Sequence, residues 1–281
     1  PDCENHKLAQ HPERPERLRA VINRLEETGM TQDMKVKLAE ELSDDVLIHV
    51  HPSRYVETIN RSEPTISIVR LDPDTYMSPG SLRAAKLAAG ACVAAVSDIL
   101  REKTDRAFCA IRPPGHHAEV AAAMGFCIFN NIALAAETAL AHPDINRVAI
   151  VDFDVHHCNG TVDIFKDRPE VLVCSSFQEN YYPYRYLDFS NEHIVNSPLP
   201  KGTDGKSFRA AIERDWLPAL DSHRPDFLLI SAGFDAHEQD PLAELCLLEA
   251  DYSWITEQLL CIATNHSQGR VISTLEGGYD L

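Results

Sequence analysis

The chain has 281 residues, of which 44% are hydrophobic and 25% charged, and a formal net charge of −17. This length holds one large α/β domain with a well-buried core, or two small ones, and no run of about 18 apolar residues offers a membrane span. The acidic balance argues against nucleic-acid binding as the main task, because phosphate contacts need clustered Lys and Arg; it is compatible with a cationic substrate.

In chain order, the hydrophobic pattern predicts a helix over Pro15–Thr28, a Pro- and Asp-rich surface loop over Glu63–Gly80 and a helix over Ser81–Arg101. A strand over Ala107–Ile111, a helix over Asn131–Ala141 and strands over Arg147–Phe153 and Val171–Ser175 follow. A tyrosine-rich loop over Phe177–Leu199 precedes a helix over Ser207–Leu220, a strand over Asp226–Ser231, a helix over Ala243–Asn265 and a strand over Arg270–Leu275. The strands are continuous apolar runs, as expected where both faces are covered. Their alternation with helices predicts a single-domain α/β fold built on a doubly wound, mostly parallel sheet. Long loops in compact domains are often functional.

The eight cysteines are scattered without a C-x-x-C pair, so neither a disulfide framework nor a thiolate zinc site is expected, and a reducing cytoplasm fits best. The N-terminal Pro1-Asp2-Cys3-Glu4 lacks the basic and apolar regions of a signal peptide. The chain starts without Met, and its last predicted strand runs into Gly277-Gly278-Tyr279-Asp280-Leu281 with no closing helix. It therefore reads as a piece of a longer polypeptide.

Polar chemistry gathers at the carboxyl ends of four predicted strands, where open α/β sheets place their ligands. These ends carry Gly115-His116-His117, Asp152-Phe153-Asp154-Val155-His156-His157, Ser231-Ala232-Gly233-Phe234-Asp235 and Glu276-Gly277-Gly278-Tyr279. In extended backbone Asp152, Asp154 and His156 point to one side. Each cluster alone has an ordinary structural explanation: an exposed turn for the histidines, a helix N-cap for Asp235, a packed surface aromatic for Tyr279. Together they are hard to explain that way. Asp154, His156 and Asp235 would supply one nitrogen and two oxygens and leave a position open, the layout of a catalytic metal site. Hydrolysis there needs a base, which the tandem His116-His117 supplies with Asp152 orienting one ring. It also needs a donor to the oxyanion, which the Tyr279 hydroxyl supplies, turned inward by Gly277-Gly278.

The motifs R-P-P-G-H-H (112–117), G-F-C-I-F-N-N (125–131), D-F-D-V-H-H (152–157), S-A-G-F-D (231–235) and G-G-Y-D (277–280) resemble the zinc-dependent histone deacetylase family, in this order and over almost the whole chain from H-P-E-R-P-E-R (11–17) and D-T-Y-M-S-P-G-S (74–81) onward. Asn159 and the E-G-G-Y ending resemble the class II branch and its bacterial relatives. The resemblance implies a three-layer arginase/deacetylase-like fold and one catalytic Zn2+ held by Asp154, His156 and Asp235. It implies His117 as general base, His116 backed by Asp152 as its partner, and Tyr279 on the acyl oxygen. It further implies Gly125, Phe126 and Tyr182 as walls of a tunnel for an acyl-lysine, Leu242 at its rim, and Arg17 in an inner acetate-release cavity, although from sequence alone Phe126 reads as core and Arg17 as an exposed helix residue. A structural K+ is implied at Asp152, Asp154, His156, Ser175 and Ser176, and a second near Phe165, Arg168 and Val171.

The expected function is removal of acetyl groups from acetyl-lysine of a protein or peptide by metal-activated water. Alternatives are an acetylpolyamine amidohydrolase with another entrance, a small-metabolite accessory enzyme, and a non-catalytic acyl-lysine reader that keeps the metal. An arginase-like enzyme ranks low because the chain lacks a D-A-H-x-D run. The ligand set itself admits iron as well as zinc. Two positions depart from the family pattern. Cys158 stands where Gly is usual and places a thiol beside the metal cluster. Asn159 stands where other branches have Asp, and a neutral partner leaves His117 less basic than a carboxylate would.

Overall fold

The computed structural model describes residues 2–281. Its helices are α1 (Pro15–Glu27), α2 (Asp44–Leu47), α3 (Ser53–Arg61), α4 (Ser81–Leu100), α5 (Asn131–Leu140), α6 (Asn159–Phe165), α7 (Gly205–His223) and α8 (Glu249–His266). Its strands are β1 (Val69–Arg70), β2 (Tyr76–Met77), β3 (Arg106–Cys109), β4 (Val148–Asp152), β5 (Val171–Gln178), β6 (Ile194–Leu199), β7 (Phe227–Ala232) and β8 (Val271–Leu275). Among the described residues no helix is long and apolar enough to cross a membrane.

The main sheet runs β3-β8-β7-β4-β5-β6, and every neighbouring pair in it is parallel. Side chains alternate between two cores, as the period of a strand requires. Val148, Ile150, Val171, Val173, Phe227, Leu229 and Ile272 face one core with α4 and α5. Ala149, Val151, Leu172, Cys174, Leu228 and Ile230 face the other with α7 and α8. This two-sided cover is why β4, β5 and β7 are buried at every position. The helix–sheet–helix layering agrees with the predicted fold class.

Three segments differ from the sequence-based expectation. The Phe177–Leu199 stretch is only partly loop: β5 runs on to Gln178 and β6 occupies Ile194–Leu199, pairing in register with Val173–Gln178. Tyrosines and turn residues between the strands obscured them. The helix expected from Ala243 starts at Glu249, because residues before it are drawn into extended contacts: Leu247 bonds Ala236 and Glu238, and Cys246 bonds Thr203. The loop over Glu63–Gly80 contains the short antiparallel pair β1–β2. Helices α2, α3 and α6 had no predicted counterpart.

Candidate metal and catalytic site

The register aligns the carboxyl ends of the strands. Cys109 lies opposite Thr274, Thr274 opposite Ser231, Ser231 opposite Asp152, Asp152 opposite Ser175 and Ser175 opposite Asn196. Just beyond this row the backbone leaves the ladder, and the side chains of four strand ends turn into one space. The chain reverses direction around β4, with β5 on one side and β7 on the other, the place where such sheets form a crevice.

Asp154, His156 and Asp235 each offer a ligand atom, all within 4.8 Å of one another and all buried. His156 Nδ1 lies 3.0 Å from Asp154 Oδ1 and 3.2 Å from Asp235 Oδ2. Backbone N–H groups fix the carboxylates: His156 donates to Asp154 Oδ1, Gly277 to Asp154 Oδ2 and Val155 to Asp235 Oδ1. Among the described residues Asp235 Oδ2 makes no hydrogen bond. Burial raises the Asp235 carboxyl to about 6, and the neighbouring Asp154 adds to this. Burial pushes His156 toward neutrality, but the two carboxylates outweigh it and lift the imidazole to about 10. Two carboxylates and an imidazole thus face one another where a dication would satisfy all three groups, and an acceptor oxygen is left over. The donor set fits a metal. A side chain at Gly277 would collide with both carboxylates, so this close approach requires glycine.

The rings of His116 and His117 lie 4.0 Å apart, tilted by 42°, yet their surroundings push their pKa values in opposite directions. His116 Nδ1 lies 2.9 Å from Asp152 Oδ2 and its Nε2 lies 3.8 Å from Asp154 Oδ2. Burial disfavours its charge, but Asp152, Asp154 and Glu276 prevail and hold it well above the usual histidine range. His117 meets burial and the neighbouring His116 and His156, which hold it well below that range. Its Nδ1 lies 2.6 Å from Asn159 Oδ1. Asp152 braces the candidate metal cluster, accepting from Asp154 N–H at 3.0 Å while supporting His116. The neighbouring His157 is wholly buried beside Asn196 and Phe177.

Tyr279 is 8% exposed, and burial holds its hydroxyl well above the usual phenol range, so it stays an O–H donor. Its backbone N–H donates to Asp240 Oδ2 at 2.6 Å, and its ring lies 5.9 Å from that of Phe126. Arg17 is a buried brace, contrary to its exposed-helix alternative. Its guanidinium covers the Tyr279 ring at 4.7 Å and donates to the Gly278 and Glu276 carbonyls, both at 2.5 Å. Arg17 and Tyr279 also line a cavity of about 340 Å3 bounded by Ala20, Val21 and Phe234. Behind Arg17 lies Glu13, which accepts from Arg17 at 3.2 Å and from Arg112 at 2.8 and 2.7 Å.

That knot is expected to be costly to open. Burial opposes the Glu13 charge, but His6 and Arg112 overcome it and hold the carboxyl well below 4.5. Its ionisation therefore adds stability above that pH and the contribution fades on acidification below it. Glu13→Ala, which strands two buried guanidinium groups, is expected to cost roughly 3–5 kcal/mol in denaturant unfolding at neutral pH. The gap from wild type should narrow in acid. A loss under 1 kcal/mol would mean that solvent takes over the carboxylate's role (about the value of a surface pair).

Of the residues expected to line a tunnel, Tyr182 and Gly125 lie against His117. Tyr182 meets its ring edge-on at 5.2 Å and that of His156 at 5.9 Å. A side chain at Gly125, whose φ is +56°, would overlap the His117 ring, so the wall there is bare backbone. Phe126 is half-buried rather than core and packs 4.6 Å from His11. Leu242 is also half-buried, and its carbonyl accepts from the Tyr181 hydroxyl. Ser175 and Ser176 are buried beside β4, and among the described residues the Ser175 hydroxyl makes no hydrogen bond of good geometry although the Cys158 thiol lies next to it. An orphaned buried hydroxyl fits the implied K+. At the second implied position, the Phe165 carbonyl accepts from Arg168 N–H and faces His193 Nε2 at 3.3 Å. Cys158 is fully buried, and burial keeps it a thiol.

Several residues of the site carried no assignment from sequence. Glu276 accepts from the Gly115 and His116 N–H groups at 2.7 and 3.2 Å, tying the histidine turn to β8. Asp240 holds the Tyr279 backbone, and Tyr181 stacks on His156 at 5.7 Å. Glu13, Arg112 and Glu276 stand within quoted motifs, and burial of charged residues beside turns was the available signal. Tyr181 lay in the tyrosine-rich loop, and Asp240 had no signal.

A family model described as the histone deacetylase domain matches residues 11–281. A histone deacetylase-like amidohydrolase of Pseudomonas aeruginosa is 36% identical over 96% of this chain and 73% of its own. A probable deacetylase of Archaeoglobus fulgidus is 34% identical over 96% of this chain and 77% of its own. Histone deacetylase 15 of Arabidopsis thaliana is 38% identical over 98% of this chain but only 51% of its own. Among solved structures, a crystal structure of the HDA15 HD domain superposes with a TM-score of 0.92 at 36% identity, over 99% of this chain and 82% of that one.

Proposed function

The chain belongs to the histone deacetylase family, and on that premise we propose that it is a zinc-dependent amidohydrolase that removes acetyl groups from the side-chain nitrogen of acetyl-lysine. The observation that carries this reading is the buried Asp154-His156-Asp235 cluster with the histidine pair at its edge, His116 Nε2 3.8 Å from Asp154 Oδ2 and the His117 ring 5.7 Å from that of His156. The surroundings of the two rings push their pKa values in opposite directions. Perturbed pKa values of opposite sign in adjacent groups are how one site separates base from electrostatic support.

Zn2+ on Asp154, His156 and Asp235 would polarise the acyl oxygen and lower the pKa of a nearby water toward ~7. His117, neutral at working pH, accepts the proton of the attacking water at Nε2, since its Nδ1 is committed to Asn159. It then returns that proton to the departing lysine nitrogen. His116 remains charged between Asp152 and Asp154 and offsets the negative charge that accumulates there. Tyr279 donates its O–H to the acyl oxygen as that oxygen gains charge. Gly125, Phe126 and Tyr182 bound the approach, an apolar passage suited to a lysine stem, with Leu242 at the rim. K+ beneath β4 would hold the backbone of the ligand strand.

The test is turnover of an acetyl-lysine peptide and of acetylated polyamines, side by side, by zinc-loaded protein. Wild type is expected to deacetylate the peptide, and His117→Ala to lose about 10²-fold or more of kcat with its metal content retained. Polyamine turnover far above peptide turnover would favour the acetylpolyamine reading. No turnover of either substrate with zinc bound would overturn the proposal and favour the non-catalytic reader over the deacetylase.

A further inference from the structure

We propose that Glu119 is a positioning residue for His117, acting through Asn159, and that Arg185 anchors it from the loop between β5 and β6. The inference rests on the reading of His117 as the base. His117 Nδ1 faces Asn159 Oδ1 at 2.6 Å, and Asn159 Nδ2 donates to Glu119 Oε1 at 2.8 Å. The other Glu119 oxygen, Oε2, meets Arg185 NH1 at 2.9 Å. Asn159 is fully buried and Glu119 is 5% exposed, whereas the Arg185 side chain is 50% exposed.

The chemistry of this chain has one direction. An amide can present either its oxygen or its NH2 group, and Asn159 alone would serve His117 with either. An ionised carboxylate can only accept. Glu119 therefore fixes the amide with NH2 outward and oxygen inward. An oxygen facing His117 Nδ1 in turn requires the proton there, which leaves the Nε2 lone pair free for the substrate side. The flipped amide would put the proton on Nε2 and remove the base. A carboxylate in place of Asn159 would need no such orientation, so Glu119 matters because position 159 is an amide. Asn159 Nδ2 also lies 3.2 Å from Met124 Sδ and 3.4 Å from the His117 carbonyl, contacts too weak to set the amide alone.

The experiment compares Glu119→Met with wild type, in the native and in the Asn159→Asp background, with zinc-loaded protein and the acetyl-lysine peptide. Glu119→Met is expected to lower kcat about tenfold with KM within about twofold, and to cause no loss in the Asn159→Asp background. Equal losses in both backgrounds would overturn the proposal, because a merely structural role does not depend on residue 159. The second readout is the 15N spectrum of the His117 ring in folded protein, with and without zinc, which needs no turnover. Wild type is expected to show one tautomer, protonated at Nδ1, and Glu119→Met a mixture. An unchanged single tautomer in the variant would overturn the proposal. Should Met disturb the fold, Glu119→Ala is read by the same spectrum. If wild type turns over neither substrate, the functional reading falls while the tautomer still decides this inference.

Discussion

Tyr279→Phe is expected to lower kcat on an acetyl-lysine peptide by roughly 10²–10³ while KM and metal content stay near wild type. The substitution removes one oxygen and little else. The ring keeps its contacts with Phe126 at 5.9 Å and Arg17 at 4.7 Å, and the backbone keeps its bond to Asp240. What is lost is an O–H held protonated by burial, with Asp235 and Asp154 among the charges that bear on it. Such a donor gains most when the acyl oxygen takes on charge, so the effect belongs in kcat. Steady-state kinetics with metal analysis checks this. An unchanged kcat would mean that the hydroxyl does not touch the reacting oxygen.

Removing the metal is expected to abolish turnover and to lower the melting temperature, and restoring zinc to recover both. The buried carboxylates of Asp154 and Asp235 repel each other across a charged His156, a cost that a bound dication relieves. Zinc at a thousandfold excess over Kd stabilises the native state by about 4 kcal/mol, on the order of 10 °C for a domain of this size. Binding displaces the proton held on His156, so apparent affinity should rise with pH. Asp235→Asn is expected to lose the zinc-dependent gain in melting temperature together with activity. A melting temperature indifferent to zinc would count against the site, and recovery by iron but not zinc would change the assigned ion.

Much of this was legible in the sequence because strand ends are. Val148-Ala-Ile-Val-Asp152 announces a buried parallel strand, and the polar residues that follow have to be explained by a partner, a cap or a ligand. Asp154, His156 and Asp235 could therefore be named before they were seen within 4.8 Å of each other. The contrast between His116 and His117 was not legible. Neighbours in sequence, they differ because Asp152, Asp154 and Glu276 charge one, while burial and its histidine neighbours keep the other neutral. Arg17 was ambiguous for a similar reason: a helix position does not say that its guanidinium reaches the carbonyls of Glu276 and Gly278, more than 250 residues away. The strand β6 was hidden because Ile194–Leu199 contains Asn196, Ser197 and Pro198, which read as turn residues until β5 is present to pair with them.

The sheet order has a consequence for assembly. Strand β8 follows the other strands of this sheet in sequence yet lies inside it, between β3 and β7. During synthesis, β4 to β7 can pair as they emerge, but β3 has no partner until Val271–Leu275 arrives. The residues immediately after β8 are Glu276, which ties down the histidine turn, and Tyr279. Closure of the sheet and completion of the reactive centre are thus the same late event. A nascent chain stalled before residue 270 would carry Asp154, His156 and Asp235 while lacking both Tyr279 and the strand that joins β3 to the rest of the sheet.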